Sequence, residues 1–220
     1  MELINDDVVE LWKNALSLVV KQGKEFKDSE DREYVEENNL VLTLTDTENS
    51  TKIGEPIDMM IEKKKWVYPS KDELSSIMFK EYQAPTYDYT YGGRIFSFDD
   101  KLDQINNFII PLLKSDPSSR RAIVVVYNPL EDSSLSNKNS PGIIYMQFRI
   151  KDNKLHLNCH IRSNDLFFGW PANIYQIHTL QRFVSEKLKV GRGNISTVSN
   201  SAHVFKDDLD EINRILSLSR

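Results

Sequence analysis

The sequence predicts an α+β fold, a mixed β-sheet packed with helices. Strand-like and helix-like segments follow one another in irregular order, without the regular alternation of a parallel βαβ sheet. Ile143 to Ile150 and Leu155 to Ile161 carry strand patterns joined around Asp152-Asn153, which reads as a hairpin. The following segment, Asn173 to Lys189, sets Ile174, Ile177, Leu180, Phe183, Val184 and Leu188 at helical spacing. A chain of 220 residues, 40% apolar, has the material for one substantial core.

The remaining elements follow in order. Val8, Leu11, Trp12, Ala15, Leu16, Val19 and Val20 mark a first amphipathic helix over 8–20, with Asp6 or Asp7 as its cap. Lys21 to Asn39 is charged, is broken at Gly23 and reads as a connector. Leu40 to Thr45 alternates as a strand, and Thr47 to Thr51 is a polar loop. Ile57 to Lys63 suits a short helix, and Ser70 with Glu73 forms a capping box that opens another. Ala84 to Gly93, with Pro85, Tyr87, Tyr89, Tyr91 and a Gly-Gly pair, reads as an irregular functional loop. Lys101 to Ile110 carries the stripe Leu102, Ile105, Phe108 and Ile109 and should end or kink at Pro111. Ala122 to Tyr127 reads as a buried strand, Leu130 to Pro141 as a loop, Ile195 to Phe205 as a strand and Leu209 to Leu216 as a closing helix.

Composition narrows the function. Asp and Glu number 33 against 28 Lys and Arg, a net charge of −5. That balance disfavours a nucleic-acid coat, which needs a basic excess, but a small anionic ligand needs only a few local arginines. The one cysteine, Cys159, rules out an intrachain disulfide and a Cys-based zinc site. His156 and His160 share a strand face without a third ligand, so no metal is expected. No apolar run reaches the roughly 18 residues of a membrane span. The first twenty residues are acidic and amphipathic, unlike a signal peptide, so the expectation is a cytoplasmic protein.

The run from Arg162 to Asn173 concentrates the chemistry: an arginine-serine pair suited to phosphate, the Asp165 carboxylate and an amide at Asn173. Around it stand Tyr91-Gly92, Asp116 to Arg121 with its double arginine, Pro141 to Phe148 with Gln147, and Ser201 to Phe205 with His203. Five such motifs in this order, over about Tyr91 to Leu216, resemble the thymidylate synthase and deoxycytidylate hydroxymethylase family. The resemblance implies one thymidylate synthase-like domain over 1–220, with a divergent part at 1–85, and a homodimer joined through a sheet face. It implies a pyrimidine nucleoside 5′-monophosphate as ligand and 5,10-methylenetetrahydrofolate as one-carbon donor. Arg162 and Ser163 would hold the phosphate from their own subunit, and Arg120 and Arg121 would reach it from the neighbouring one. Gln147, Asn164 and Gly169 would belong to the substrate site, Asn173 would read the O4/N3 edge of uracil, and His203 would contact the sugar. Tyr91 and Asp165 would be catalytic. Plainer readings stand beside these: a solvated turn at Arg120-Arg121, a helix cap at Asn173, a buried satisfied carboxylate at Asp165 and an ordinary strand histidine at His203.

The chain also departs from the family. The nucleophilic cysteine position falls on Gly142, within Pro141-Gly142-Ile143, where no side chain can attack C6 of the base. Cys159 lies three residues before Arg162 and should face away from it on a regular strand. Phe205 replaces a tyrosine that touches the sugar, the segment from Glu62 to Tyr82 lacks a convincing folate motif, and the chain ends at Arg220 soon after the closing helix. Gly142 is open to three explanations: an engineered glycine, a paralogue with non-thiol chemistry, or a nucleotide binder without turnover. The activity expected is C5 methylation or hydroxymethylation of a dUMP-like nucleotide. The alternatives are a non-catalytic binding paralogue and a cytosine-nucleotide hydroxymethylase with changed chemistry.

Overall fold

Strands β1 (Glu2–Asn5), β2 (Lys24–Lys27), β3 (Glu33–Leu44), β4 (Ile123–Val125), β5 (Ile143–Lys151), β6 (Lys154–Asp165) and β7 (Gly191–Phe205) form one mixed sheet. Its spatial order is β1-β3-β7-β6-β5-β4, with β2 paired to β3. β6 and β7 are parallel, as are β1 and β3, and the other pairs are antiparallel. The computed structural model describes residues 1–48, 52–80, 89–137 and 139–217. Pro85 and Tyr87 of the expected functional loop, and residues 49–51 of the expected polar loop, lie outside the described residues.

The expected hairpin is present. Asp152 and Asn153 take φ of 50° and 57°, the paired left-handed conformations of a tight turn whose twist matches its strands. β6 then leads through α7 (Gly169–Leu188) back to β7, a crossover that parallel strands require. α7 packs on β6 and β7, while α1 (Val8–Gln22) packs on β1 and β3. Asp7 caps α1, its carboxylate accepting from the N–H groups of Val9 and Glu10. Trp12 and Trp170 are fully buried, and each places its indole N–H: Trp12 donates to the Leu166 carbonyl at 2.7 Å and Trp170 to Thr197 Oγ1 at 3.0 Å. α2 (Glu55–Glu62) and α3 (Lys71–Met78) follow the short helices expected, and Ser70 and Glu73 make the predicted capping box. α8 (Leu209–Ser217) closes the chain against α1.

Several expectations change. The segment from Lys21 to Asn39 is no connector, since β2 and the first half of β3 pair in a hairpin. All four β2 residues are exposed, so neither face carries an apolar alternation to read. In the segment from Lys101 to Ile110, helix begins only at Ile105, as a π-helix (Ile105–Ile109) that leads into α5 (Ile110–Ser115). Pro111 is the second residue of α5, so the helical run continues through it and the change from π to α winding falls just before it. Of the expected stripe, Ile105 and Ile109 are buried while Leu102 and Phe108 are exposed. β4 is an edge strand rather than a buried one, with Val124 inside and Ile123 and Val125 exposed. The expected loop from Leu130 to Pro141 begins inside a short helix, α6 (Pro129–Asp132).

The described end of the expected tyrosine loop is ordered. Thr90 Oγ1 accepts from the Gly93 N–H and starts α4 (Tyr91–Phe96). Gly92 is required there, because a Cβ would lie 2.1 Å from the Ile77 carbonyl oxygen. Arg94, on α4, pairs with the buried Asp132 at 3.0 Å and with Glu131 at 2.8 Å, tying α4 to α6. Among the described residues no helix is long and apolar enough to cross a membrane, and no group of three metal-type ligands occurs.

One buried histidine gives the fold a pH dependence. His178, on α7, is 3% exposed, and its Nε2 lies 3.0 Å from the Thr47 carbonyl oxygen. Burial pushes its imidazole down to about 4. The unfolded chain takes this proton near pH 6.5 and the folded chain only near 4, so stability should fall as pH drops through that window. The loss approaches roughly 3 kcal/mol below it. Thermal melts from pH 7.5 to 4.5 should show a flatter acid limb for His178→Gln than for the unchanged chain. Superimposable differences from neutral pH would mean that this imidazole is not the sensitive group.

Candidate active site

The carboxyl ends of β6 and β7 and the start of α7 bound a cavity of about 560 Å³. The register of the two strands sets Ser163 beside Ser201 and Asp165 beside His203. Only three residues separate Asp165 from Gly169, so the first turns of α7 fold straight back over the strand ends. Ser163, Asn164, Asp165, Gly169, Asn173 and His203 thus line one cavity. Gly142 and Tyr91 line the same cavity from β5's leading end and from α4.

Asp165 is the most perturbed acid here. Burial pushes its carboxyl up to about 6, against backbone N–H bonds from Phe167 at 2.8 Å and Phe168 at 3.4 Å; the nearby Asp208 charge adds to the rise. The folded chain therefore holds this proton more firmly than the unfolded one, and the carboxyl weakens the fold as pH rises from about 4 to about 6. Such a group can exchange a proton near neutral pH. His203 is held neutral: burial lowers its imidazole, partly offset by Glu36. Tyr91 is half-buried and its phenol ionises less readily than usual, because desolvation, then Tyr89, disfavours the charge. It serves as a neutral hydrogen-bonding group.

A Cβ on Gly142 would lie 3.5 Å from the Tyr91 hydroxyl and 3.3 Å from the Ser163 carbonyl oxygen. A small side chain there would enter the cavity with a slight tightening. No thiol lines the cavity. Cys159 is fully buried on the core face of β6, opposite the exposed Arg162, and burial pushes its thiol up.

Other expected site residues stand apart. Arg162 does not line the cavity; its guanidinium donates to the carbonyls of Pro141 at 3.0 Å and Ser140 at 2.7 Å, clamping the segment ahead of Gly142. Gln147 points elsewhere and donates to the Arg120 carbonyl at 2.8 Å. Arg120 and Arg121 are exposed ahead of the edge strand β4. Asn173 is not a helix cap: α7 begins four residues earlier, and the Asn173 Nδ2 donates to Asn164 Oδ1 at 3.4 Å. Sequence reading missed Gln176, which lines the cavity and donates to the Leu74 carbonyl at 3.1 Å; its spacing of three from Asn173 on one helix was the available signal. It also missed the wall of Tyr68, Leu74, Ile77 and Ala172, brought from three separate segments and marked by no motif. The arrangement suits a flat polar ligand, with hydrogen-bonding groups from β6 and α7 and an apolar wall of Tyr68, Leu74, Ile77 and Ala172.

The thymidylate synthase family profile matches residues 14–220. Over 210 residues the chain is 30% identical to a Methanosarcina mazei protein described as "Putative thymidylate synthase", covering 96% of this chain and 92% of that protein. A protein of Methanococcoides burtonii with the same description is 28% identical over 209 residues, covering 95% and 91%. The deoxyuridylate hydroxymethyltransferase of Bacillus phage SP01 is 35% identical over 109 residues, covering 49% of this chain and 28% of that protein. With the mixed sheet, the β6–α7 cavity and a profile match over nearly the whole length, the chain belongs to the thymidylate synthase family.

Proposed function

We propose that the cavity binds a pyrimidine nucleoside 5′-monophosphate, uracil preferred, and that its reaction class is one-carbon transfer to C5 of the base. The observation that carries this reading is the convergence of Ser163, Asn164, Asp165, Gly169, Asn173 and His203 on one cavity from a single strand–helix–strand unit. In this reading the Asn173 amide faces the O4/N3 edge of the base and neutral His203 meets a sugar hydroxyl. Phe205 offers no second hydroxyl to the sugar. Ser163 and Arg162 hold the phosphate, Arg162 exchanging its two neutral carbonyl partners for a charge-assisted pair. Arg120 and Arg121 act across a homodimer, which accords with their exposure away from their own cavity. Gln147 supports them from behind through the Arg120 carbonyl.

The residues present fit methylenetetrahydrofolate in part: Leu74, Ile77, Ala172 and Tyr68 offer an apolar wall against which a second flat ring could lie. When bound, it would supply the one-carbon unit. The chain's own groups orient the base, with Asp165 and Tyr91 placed to hold or pass a proton. With Gly142 at the nucleophile's position, covalent addition to C6 is lost, and loss of such a nucleophile costs several powers of ten in rate. Tight binding with slow turnover is therefore the expected behaviour. The phage relative's printed name makes hydroxymethylation the second reaction to assay.

Melts with UMP, dUMP, CMP and dCMP, each with and without folate, test the ligand. A nucleotide at a hundred times its Kd should add about 2.7 kcal/mol, raising the melting temperature by roughly 5–10 °C; no shift with any of the four would end the nucleotide reading. For the shared site, Arg121→Ala and Arg162→Ala should each weaken binding, and mixing them should restore about a quarter of the sites, since each mixed dimer regains one. No recovery would place Arg121 and Arg162 in the same subunit's site, or one of them outside it. Gly142→Cys should raise tritium release from C5 of dUMP at least about a hundredfold; unchanged release with intact binding would remove Gly142 from the nucleophile's position.

A further inference from the structure

Tyr89 lines the cavity, and the site described above gives it no role. It stands two residues ahead of α4, and its ring is held before any ligand arrives. The Arg94 guanidinium lies over the ring, 5.9 Å from its centre, and the Tyr91 ring stands 6.2 Å away. Arg94 is anchored in turn by the buried Asp132 at 3.0 Å, so the ring rests on a fixed cation.

The hydroxyl end meets the segment Ser140-Pro141-Gly142. Burial raises the ionisation of the phenol above its usual range, and the charge of Arg162 opposes this more than any other group; the Gly142 backbone N–H is directed at the same oxygen. Arg162 itself donates to the carbonyls of Pro141 at 3.0 Å and Ser140 at 2.7 Å. Three consecutive residues thus bring the two groups together, Arg162 at their carbonyls and Tyr89 at the next N–H.

The phenol is neutral and carries one proton to donate. Its oxygen faces an N–H and a cation, so that proton must turn elsewhere, and no acceptor among the described residues takes it. The guanidinium has further N–H groups beyond those that the two carbonyls occupy. Ser163 adds a hydroxyl on the cavity wall. Donors that gather in this way, with no acceptor among them, suit an anion with several oxygens.

We infer that Tyr89 is a phosphate-binding residue of this cavity, its hydroxyl donating to the nucleotide's 5′-phosphate beside Arg162. The inference rests on the proposed nucleotide site. Tyr89 and Tyr91 then divide the cavity. Tyr91 stands at the position of the Gly142 side chain, where C6 of the base belongs, and Tyr89 stands towards the phosphate. Tyr89 lines the cavity where Arg162 does not, so its bond needs no release of the Ser140 and Pro141 carbonyls.

Calorimetric titration of the full chain with dUMP, and competition by deoxyuridine at millimolar concentration, read the contact, because the two share base and sugar and differ in the phosphate. Tyr89→Phe removes one oxygen and keeps the ring against Arg94 and Tyr91. It should weaken dUMP about tenfold or more, the order of one hydrogen bond to a charged group, and leave deoxyuridine within about twofold of its value for the unchanged chain. Tyr89→Met, which loses ring and hydroxyl together, should show the same selective loss, so the test does not hang on one variant's fold. Equal losses for the two compounds, or dUMP binding within about twofold of the unchanged chain's, would overturn the inference while leaving the nucleotide site standing. Failure of the unchanged chain to bind dUMP would overturn the site itself, and the inference with it.

Discussion

The parallel pairing of β6 with β7 is the constraint on which the rest of the site depends. Its register sets Ser163 opposite Ser201, Asn164 opposite Ala202 and Asp165 opposite His203. Side chains alternate along a strand, so a slip of one residue would send Asp165 to the face that now holds Asn164 and remove both from their partners. The pairing also dictates the helix. Parallel neighbours cannot be joined by a tight turn, and the crossover α7 must start within a few residues of β6's end. Asn173 reaches the cavity for that reason. The two indole bonds, Trp12 to Leu166 and Trp170 to Thr197, pin this junction from opposite sides.

Much of this was legible in the sequence. The Asp152-Asn153 turn, the capping box at Ser70, the first helix and the long α7 all carry local signals, and the structure follows them. What escaped has a physical cause in each case. β2 is solvated on both faces, so no alternation marks it. The start of α7 lacks a capping side chain, since Phe168 holds the N-cap, and the reading began four residues late. The π-helix before Pro111 shows the same apolar residues as an ordinary helix would, while burying only part of the stripe. At the site, residues from one compact run could be collected by reading along the chain. The apolar wall could not, because Tyr68, Leu74 and Ala172 meet only through packing.

The site and the core are electrostatically opposed. Asp165, half-buried, and His178, buried, are both kept towards their neutral forms, the acid by holding its proton and the base by refusing one. Their effects on stability run in opposite directions over much the same range of acidity. The acid stands at the cavity, where a ligand can supply the hydrogen bonds it lacks. The base stands on α7, outside the cavity lining, with its Nε2 3.0 Å from the Thr47 carbonyl oxygen. A bound ligand therefore relieves one of the two costs and leaves the other in place.

The chain's one thiol, Cys159, is sealed in the core on the far side of the strand from Arg162, and no cavity-lining residue replaces it. Pyrimidine analogues that inactivate by capturing a thiolate have nothing to bond with in such a cavity, and thiol-directed electrophiles find no exposed thiol to modify. On the proposed reading, occupancy by such compounds is reversible. If the proposed nucleotide site holds, a cell carrying this chain has a pocket that competes for such compounds without being consumed by them.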